Sequence, residues 1–425
     1  RRRQRIRLHH PTQPPAMQAV SVVYLLVVVY ALCYQLQSPL EPFLVEKLAT
    51  AGTGAAAYAR LQSFFAVVQM VGSFFVGYLL DRLGLRVMFA LNFLGCAASY
   101  ALLARADTLE ALYVSKLPTV FMAGFLCAQV AVAKLTPDGS AERTSALARL
   151  TSAYTLGGVV GPALGGQLGV STAARLAVAG SLLAVGLVML LPSAAATERA
   201  ADGAGHQGDA AAEPTSFVAR MRAILAVTGP LLLTKLGSGL VNSSMGAARP
   251  LLLKNDFALD AARLGAFMSA SFLGAALVGL KLDAVTSRLG GELRTVVACL
   301  KMMCAGYLVM GAAFEPVALS LGRQTAGGGV WLYAALALSL ALFQFPLATT
   351  LTALSTSAVP PALKGTLVGT EHAIFALASL LGPVSGVAVL ERGGIAGCAA
   401  AAAASYGALY VAWRLRAEHM GTKAA

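Results

Sequence analysis

The sequence predicts an all-α membrane protein, with twelve transmembrane helices in two pseudo-symmetric six-helix bundles. Three observations predict it. Hydrophobic residues are 57% of the 425 residues and charged ones only 12%, about half the share usual in soluble domains. Apolar stretches of the roughly 20 residues that one crossing needs recur along the chain. The third observation is duplication. Gly77-Tyr78-Leu79-Leu80-Asp81-Arg82-Leu83-Gly84-Leu85-Arg86 stands between two apolar stretches, and a weaker copy returns as Gly279-Leu280-Lys281-Leu282-Asp283, then Arg288-Leu289-Gly290. The approach repeats too, as Ala59-Arg60-Leu61 and Ala262-Arg263-Leu264.

The predicted spans cover 18–41, 57–80, 87–104, 109–133, 146–168, 172–192, 223–248, 263–282, 294–314, 329–352, 364–390 and 395–413. Residues 1–17 are then a basic tail, 18–192 the first bundle, 193–222 a linker, 223–413 the second bundle and 414–425 a second tail. The first stretch reads as a span and not a cleaved leader, because Cys33 to Pro42 offers no small-residue cleavage site. Spans 2 and 3 flank the charged hinge. Span 5 carries Gly157-Gly158-Val159-Val160-Gly161-Pro162-Ala163-Leu164-Gly165-Gly166, and span 11 answers with Gly382-Pro383-Val384-Ser385-Gly386. Glycines four apart let helix backbones approach closely, and proline kinks a helix by removing a donor. Both suit helices that meet at the seam between halves. Ser193 to Pro214 is Ala/Gly-rich and unpatterned, as a flexible linker is. Arg220 and Arg222 mark the inner mouth of span 7.

Basic residues crowd the inner tails, loops and linker far more than the outer loops, which places both termini in the cytosol. The net charge of +13 is therefore a topology signal and not a nucleic-acid footprint. All six cysteines fall within spans and none forms a C-x-x-C pair, so they read as packing residues.

The hinge Gly77 to Arg86 resembles the loop-two-three signature of the major facilitator superfamily. Gly157 to Gly166 matches the span-five signature of that superfamily's antiporters. More narrowly, Tyr58 to Leu103 and Ser115-Lys116-Leu117-Pro118 resemble its orphan organic-cation-transporter-like members, and the bacterial drug–proton antiporters are similar in pattern. Lys116 stands where the family has arginine, and Thr119 where it has glutamine. The resemblance implies two bundles rocking about a cavity lined by spans 1, 4, 7 and 10. It also implies a cytosolic gate at Gly77, Asp81, Arg82, Gly84 and Arg86, repeated at Asp283 and Arg288. The antiporter-like motif residues are Gly157, Gly161, Pro162, Gly165 and Gly166. Independently of resemblance, a charged network at an inner helix edge can latch one of two states.

Polar groups inside spans are costly and normally face a cavity or a partner. In span 7, Lys235, Ser238, Asn242, Met245 and Arg249 share one helix face. Lys235 is too deep to snorkel, whereas Arg249 is near enough the outer end to do so. Tyr34, Gln37, Ser38 and Glu41 share a face of span 1, with Glu41 readable as an exposed cap or as a solute ligand. A stripe on span 4 runs from Lys116 through Thr119 and Ala123 to Cys127. Gln344 completes the predicted cavity from span 10, and Lys301 on span 9 reads as lipid-facing. Glu371 and His372 of span 11 are candidate proton carriers. The alternative is that they tie span 11 to span 2 near Gln62 or Gln69.

No Walker loop, H-E-x-x-H or dinucleotide fingerprint is present, so an enzyme, an ATP-driven pump and a metal or cofactor site are not expected. The function expected is secondary transport by alternating access: proton-coupled exchange of a small organic solute, cationic or drug-like. Lys235 with Lys116 would instead suit an organic anion, carried by a uniporter or symporter. A non-transporting receptor or scaffold is the other class. The expected partners are the solute, protons and lipid, with the chain monomeric, in a plasma or vacuole/lysosome-like membrane.

Overall fold

A computed structural model describes residues 15–136, 141–191, 217–320 and 326–421. Every regular element in it is helical. Span 1 is Pro15–Gln35 and leads into a short helix, Glu41–Leu48. Spans 2 and 3 share Gly54–Leu103 and part at Gly84. Span 4 runs in pieces, Leu109–Lys116, Leu117–Phe121 and Gly124–Leu135. Spans 5 to 8 are Ala141–Gln167, Val170–Val188, Phe217–Asn255 and Ala261–Gly279. A short helix, Leu282–Arg288, precedes span 9, Glu292–Ser320. Span 10 is Ala326–Ser357, and spans 11 and 12 share Pro361–Gly421, parted at Gly394. Among the described residues eight helical segments are long and apolar enough to cross a membrane, and Leu367–Leu415 is long enough for two crossings. The chain is a twelve-span, two-bundle all-α membrane protein. Residues 193–216 of the predicted linker 193–222 lie outside the described residues, and 217–222 belong to the helix of span 7.

Several expected boundaries move: span 7 begins at Phe217 and span 10 runs to Ser357. Span 1 ends at Gln35, not 41, because Pro39 and Pro42 cannot continue its hydrogen-bond ladder and the chain turns before Glu41. Span 4 is not one helix, so the stripe from Lys116 to Cys127 is broken. Pro118 opens it into a 3-10 turn. Neighbours take up the freed groups: the hydroxyl of Ser99 donates to Ser115 O at 2.7 Å, and Gln69 Nε2 to Met122 O at 3.4 Å. Gly72 and Gly95 let the turn lie against spans 2 and 3, since a Cβ at either would strike the backbone of Val120 or Pro118.

The hinge repeat survives in three dimensions. Gly84 and Gly290, each preceded by Arg-Leu, take φ of +78° and +83°, a region that side chains rarely enter. The extra residues of the second copy form the helix Leu282–Arg288.

Each half has its own apolar core. One gathers Leu26, Met88, Phe89, Phe93 and Leu150, the other Leu253, Leu300, Leu347 and Tyr406. A third cluster crosses the seam at the face opposite the chain ends, here called the outer face. It joins Val45, Tyr58, Leu61 and Leu112 to Ala247, Leu251 and Val387. At the inner face the described cluster, Ile224, Leu232, Val359 and Leu367, comes from the second half alone. The outer ends are therefore packed shut across the seam.

The glycines four apart were expected at the seam between halves, but most of them pack inside their own bundle, and only the neighbouring set in span 5 crosses the seam. Gly157, Gly161 and Gly165 form one stripe, against Ala31, Leu32, Gln35 and Leu36 of span 1. Gly158, Pro162 and Gly166 form the next stripe, against Phe272, Gly265 and Ala261 of span 8 in the other half. One run of sequence thus serves two interfaces, offset by one residue. In span 11, Gly382 and Gly386 repeat the first stripe against Ser243 and Ser244 of span 7.

Candidate functional site

Among the described residues, two ion pairs have both side chains largely buried, one in each half. In the first half, Glu41 forms an ion pair with Lys116, and Gln62 Nε2 donates to the carboxylate's other oxygen at 2.6 Å. The two charged side chains are only 14% and 12% exposed, which excludes Glu41 as an exposed cap. The break in span 4 places Lys116 at the end of a helix segment, from which its ammonium also reaches the Phe65 ring at 5.3 Å. This pair borders a cavity of about 30 Å³ lined by Gln37, Ser38, Tyr100, Lys116 and Thr119 among others. That volume holds a water or two. Both amide atoms of Gln37 and the hydroxyl of Tyr100 are buried there without a protein partner. Thr119 is buried and turns its hydroxyl back to Lys116 O.

In the second half, Lys235 of span 7 pairs with Glu371 of span 11. Ser355 of span 10 sits between them. It accepts from Lys235 Nζ at 3.0 Å and donates to Glu371 Oε1 at 2.6 Å. Three helices of the second bundle therefore converge on one carboxylate. Glu371 lies ten residues past Pro361, roughly 15 Å along its helix. Lys116, by contrast, is near the outer end of span 4. The two pairs sit at opposite levels of the membrane.

The remaining predicted residues fall separately. His372 is exposed and makes no described hydrogen bond to the pair. Gln62 and Gln69 bond within the first half, so they do not tie span 11 to span 2; Ser63 does, donating to Leu380 O at 2.7 Å. Asn242 is exposed. Gln344 accepts from Tyr406 of span 12 at 2.7 Å, which directs it into the second bundle. Arg249 does not snorkel outward; it lies against Tyr307 and Tyr333. At the hinge, Arg86 grips the end of span 6, donating to Leu191 O and to Met189 O at 3.1 Å. It works within its own half. Arg82 and Arg288 are exposed, Gly77 lies in the span-2 helix, and the side chains of Asp81 and Asp283 lie outside the described residues. The cysteines are free, and five of the six are buried.

Sequence reasoning missed Ser355 because the predicted span 10 stopped at 352. A hydroxyl one turn from a span end, near a deep lysine and carboxylate on other spans, was the available signal. It also left the lysines unpaired: each charge was visible, but not its neighbour across the bundle.

Cutting one partner of a buried pair should cost more than cutting both, by about 3–5 kcal/mol for an orphaned charge. Lys116→Met is expected to lower the thermal midpoint of the purified protein clearly, and Glu41→Gln on that background to restore part of it. An additive double mutant would mean that the two side chains act separately.

Two helical bundles packed together at the outer face, with a charge pair buried in each, define the class of a multi-pass membrane transporter. The chain belongs to the major facilitator superfamily, whose family model matches residues 23–383. Among similar proteins, solute carrier family 22 member 18 of Rattus norvegicus is 27% identical over 314 residues, 71% of this chain and 74% of that protein. The class G tetracycline resistance protein of Vibrio anguillarum is 32% identical over 171 residues, 39% of this chain and 42% of that protein. The crystal structure of the human organic anion transporter MFSD10 (TETRAN) superposes with a TM-score of 0.65 at 22% identity, over 94% of this chain and 100% of that one. That likeness is one of fold.

Proposed function

We propose that the chain exchanges a small organic solute against protons by alternating access, with Glu371 as the proton-carrying group. The observation that carries this reading is the Lys235–Ser355–Glu371 cluster. A carboxylate there is neutralised by a lysine, by a proton or by a cationic solute, and the three compete. Competition for one site is what exchange requires. Similarity to a tetracycline resistance protein supports the same reading. The outer-closed packing is then one of the two working states, with Gln37, Glu41, Lys116, Thr119, Lys235, Asn242 and Gln344 retained as the proposed solute path. His372 is a secondary candidate for the proton. Both termini are proposed to be cytosolic, and the separate cores support bundles at 18–192 and 223–413. The chain is proposed to be a monomer.

A second reading rests on the lysines. Protonating Glu371 would free Lys235 for a solute anion, and the proton and solute would then move together. The similarity in fold to the human organic anion transporter MFSD10 (TETRAN) agrees with it. The test is transport in liposomes under an imposed pH gradient, with cationic and anionic solutes and a pH dye inside. Proton flux opposite to the solute supports exchange; flux in the same direction replaces it with the second reading. No pH dependence for any solute would remove both.

We also propose that the hinge Gly77, Asp81, Arg82, Gly84 and Arg86, with Asp283 and Arg288, gates the inner face. Asp81→Asn is expected to leave expression and solute affinity unchanged but slow turnover. Turnover at the wild-type rate would take the hinge out of gating.

A further inference from the structure

The two-turn helix Glu41–Leu48 is held from both sides of the seam. One end is tied to the first half. Glu41 pairs with Lys116, and the start of span 2 lies against Glu46, where a Cβ at Gly54 would come within 3.3 Å of the Glu46 Cα. Its middle faces the second half. Phe43 packs on the second core, and Leu44 and Val45 join the cluster that holds Ala247 and Leu251 of span 7. Ala247, Leu251 and Lys254 lie at i, i+4 and i+7, on one face of that helix. Lys254, in its last turn, takes three contacts from the short helix. It pairs with the Glu46 carboxylate, donates to Pro42 O at 3.4 Å and stands over the Phe43 ring at 5.2 Å. Among the described ion pairs this one alone crosses the seam. The Lys254 side chain is 9% exposed and that of Glu46 56%. Closure thus takes the ammonium out of water and supplies these three partners, while the carboxylate stays wet. A pair with one wet partner is weak enough to part thermally, as a latch must.

We propose that Lys254 latches the outer face shut by clasping the helix Glu41–Leu48, and that this helix stays with the first half when the face opens. Opening then breaks the contacts of Lys254 and keeps Glu41 on Lys116. The latch rests on the alternating-access reading, whatever the ion or solute exchanged.

The test is the distance between spin labels across the outer mouth of the purified full-length protein. The labels sit at Asp107→Cys and Arg392→Cys, both exposed near the outer ends of spans 3 and 11. Cys304 is replaced by Ser, because the other five cysteines are buried. With Lys254 and Glu46 intact, the short, closed distance should dominate. Lys254→Met should add a discrete longer distance, with the ratio of open to closed protein raised about two- to fivefold, the scale of one such ion pair. Glu46→Gln keeps the Pro42 and Phe43 contacts and should open the face less. The double variant should open no further than Lys254→Met; additive effects would overturn the pairing on which the latch depends. Should Lys254→Met fail to fold, Glu46→Gln, changed at the wet partner, carries the test alone. Gly166→Leu, which wedges another contact of the seam, is the control. A longer distance there, with the Lys254 and Glu46 variants unchanged from their parent, overturns the latch alone. No longer distance in any variant overturns alternating access with it.

Discussion

Glu371→Gln is expected to abolish gradient-driven transport while leaving solute counterflow at equal pH largely intact. Glutamine keeps the shape and the hydrogen bond with Ser355 but can neither bind nor release a proton. It also leaves Lys235 without its counter-charge, so a loss of protein stability is expected alongside. Counterflow needs only solute binding and the rocking of the halves, and it separates a lost coupling site from a broken protein. His372→Gln should do much less, because His372 is exposed and outside the cluster. If Glu371→Gln retains full pH-driven transport, coupling lies elsewhere, and Glu41 is the next carboxylate to test. It has the same surroundings: a lysine and a neutral donor.

The second large effect is expected in the span-5 motif, where adjacent glycines should fail differently. Gly165→Leu drives a side chain into the backbone of Leu36, inside the first bundle. Backbone meets backbone there just past the end of span 1, and overpacking costs about 1–3 kcal/mol or more, a large part of a typical margin. Little monodisperse protein should be recovered. Gly166→Leu meets Ala261 and Ala262 of the other half. Each bundle should still fold, but the outer-closed state should be disfavoured, raising labelling of cysteines placed beneath the outer cluster. Gly186→Ala, with nothing within 4 Å, is the control. Normal yield of Gly165→Leu, or identical behaviour of the two variants, would refute the two-stripe assignment.

Sequence alone determined the number of spans, the duplication, the hinge glycines and that the motif glycines share helix faces, but not which neighbour each face meets. These are local properties. A crossing must be apolar and satisfy its backbone within its own helix. A positive φ after Arg-Leu asks for glycine wherever it falls, and residues four apart share a helix face in any context. Tertiary structure alone decided the electrostatics. Lys116 and Lys235 read as two standing cations in sequence, yet each meets a carboxylate from another helix. Arg249, readable as snorkelling, turns inward, and Gln344 turns to Tyr406. Periodicity fixes where a side chain points around its own axis. It does not fix that helix's rotation, depth or breaks relative to its neighbours, such as the turn at Pro118 that positions Lys116. Those depend on how whole helices pack, and they decide which buried charge meets which.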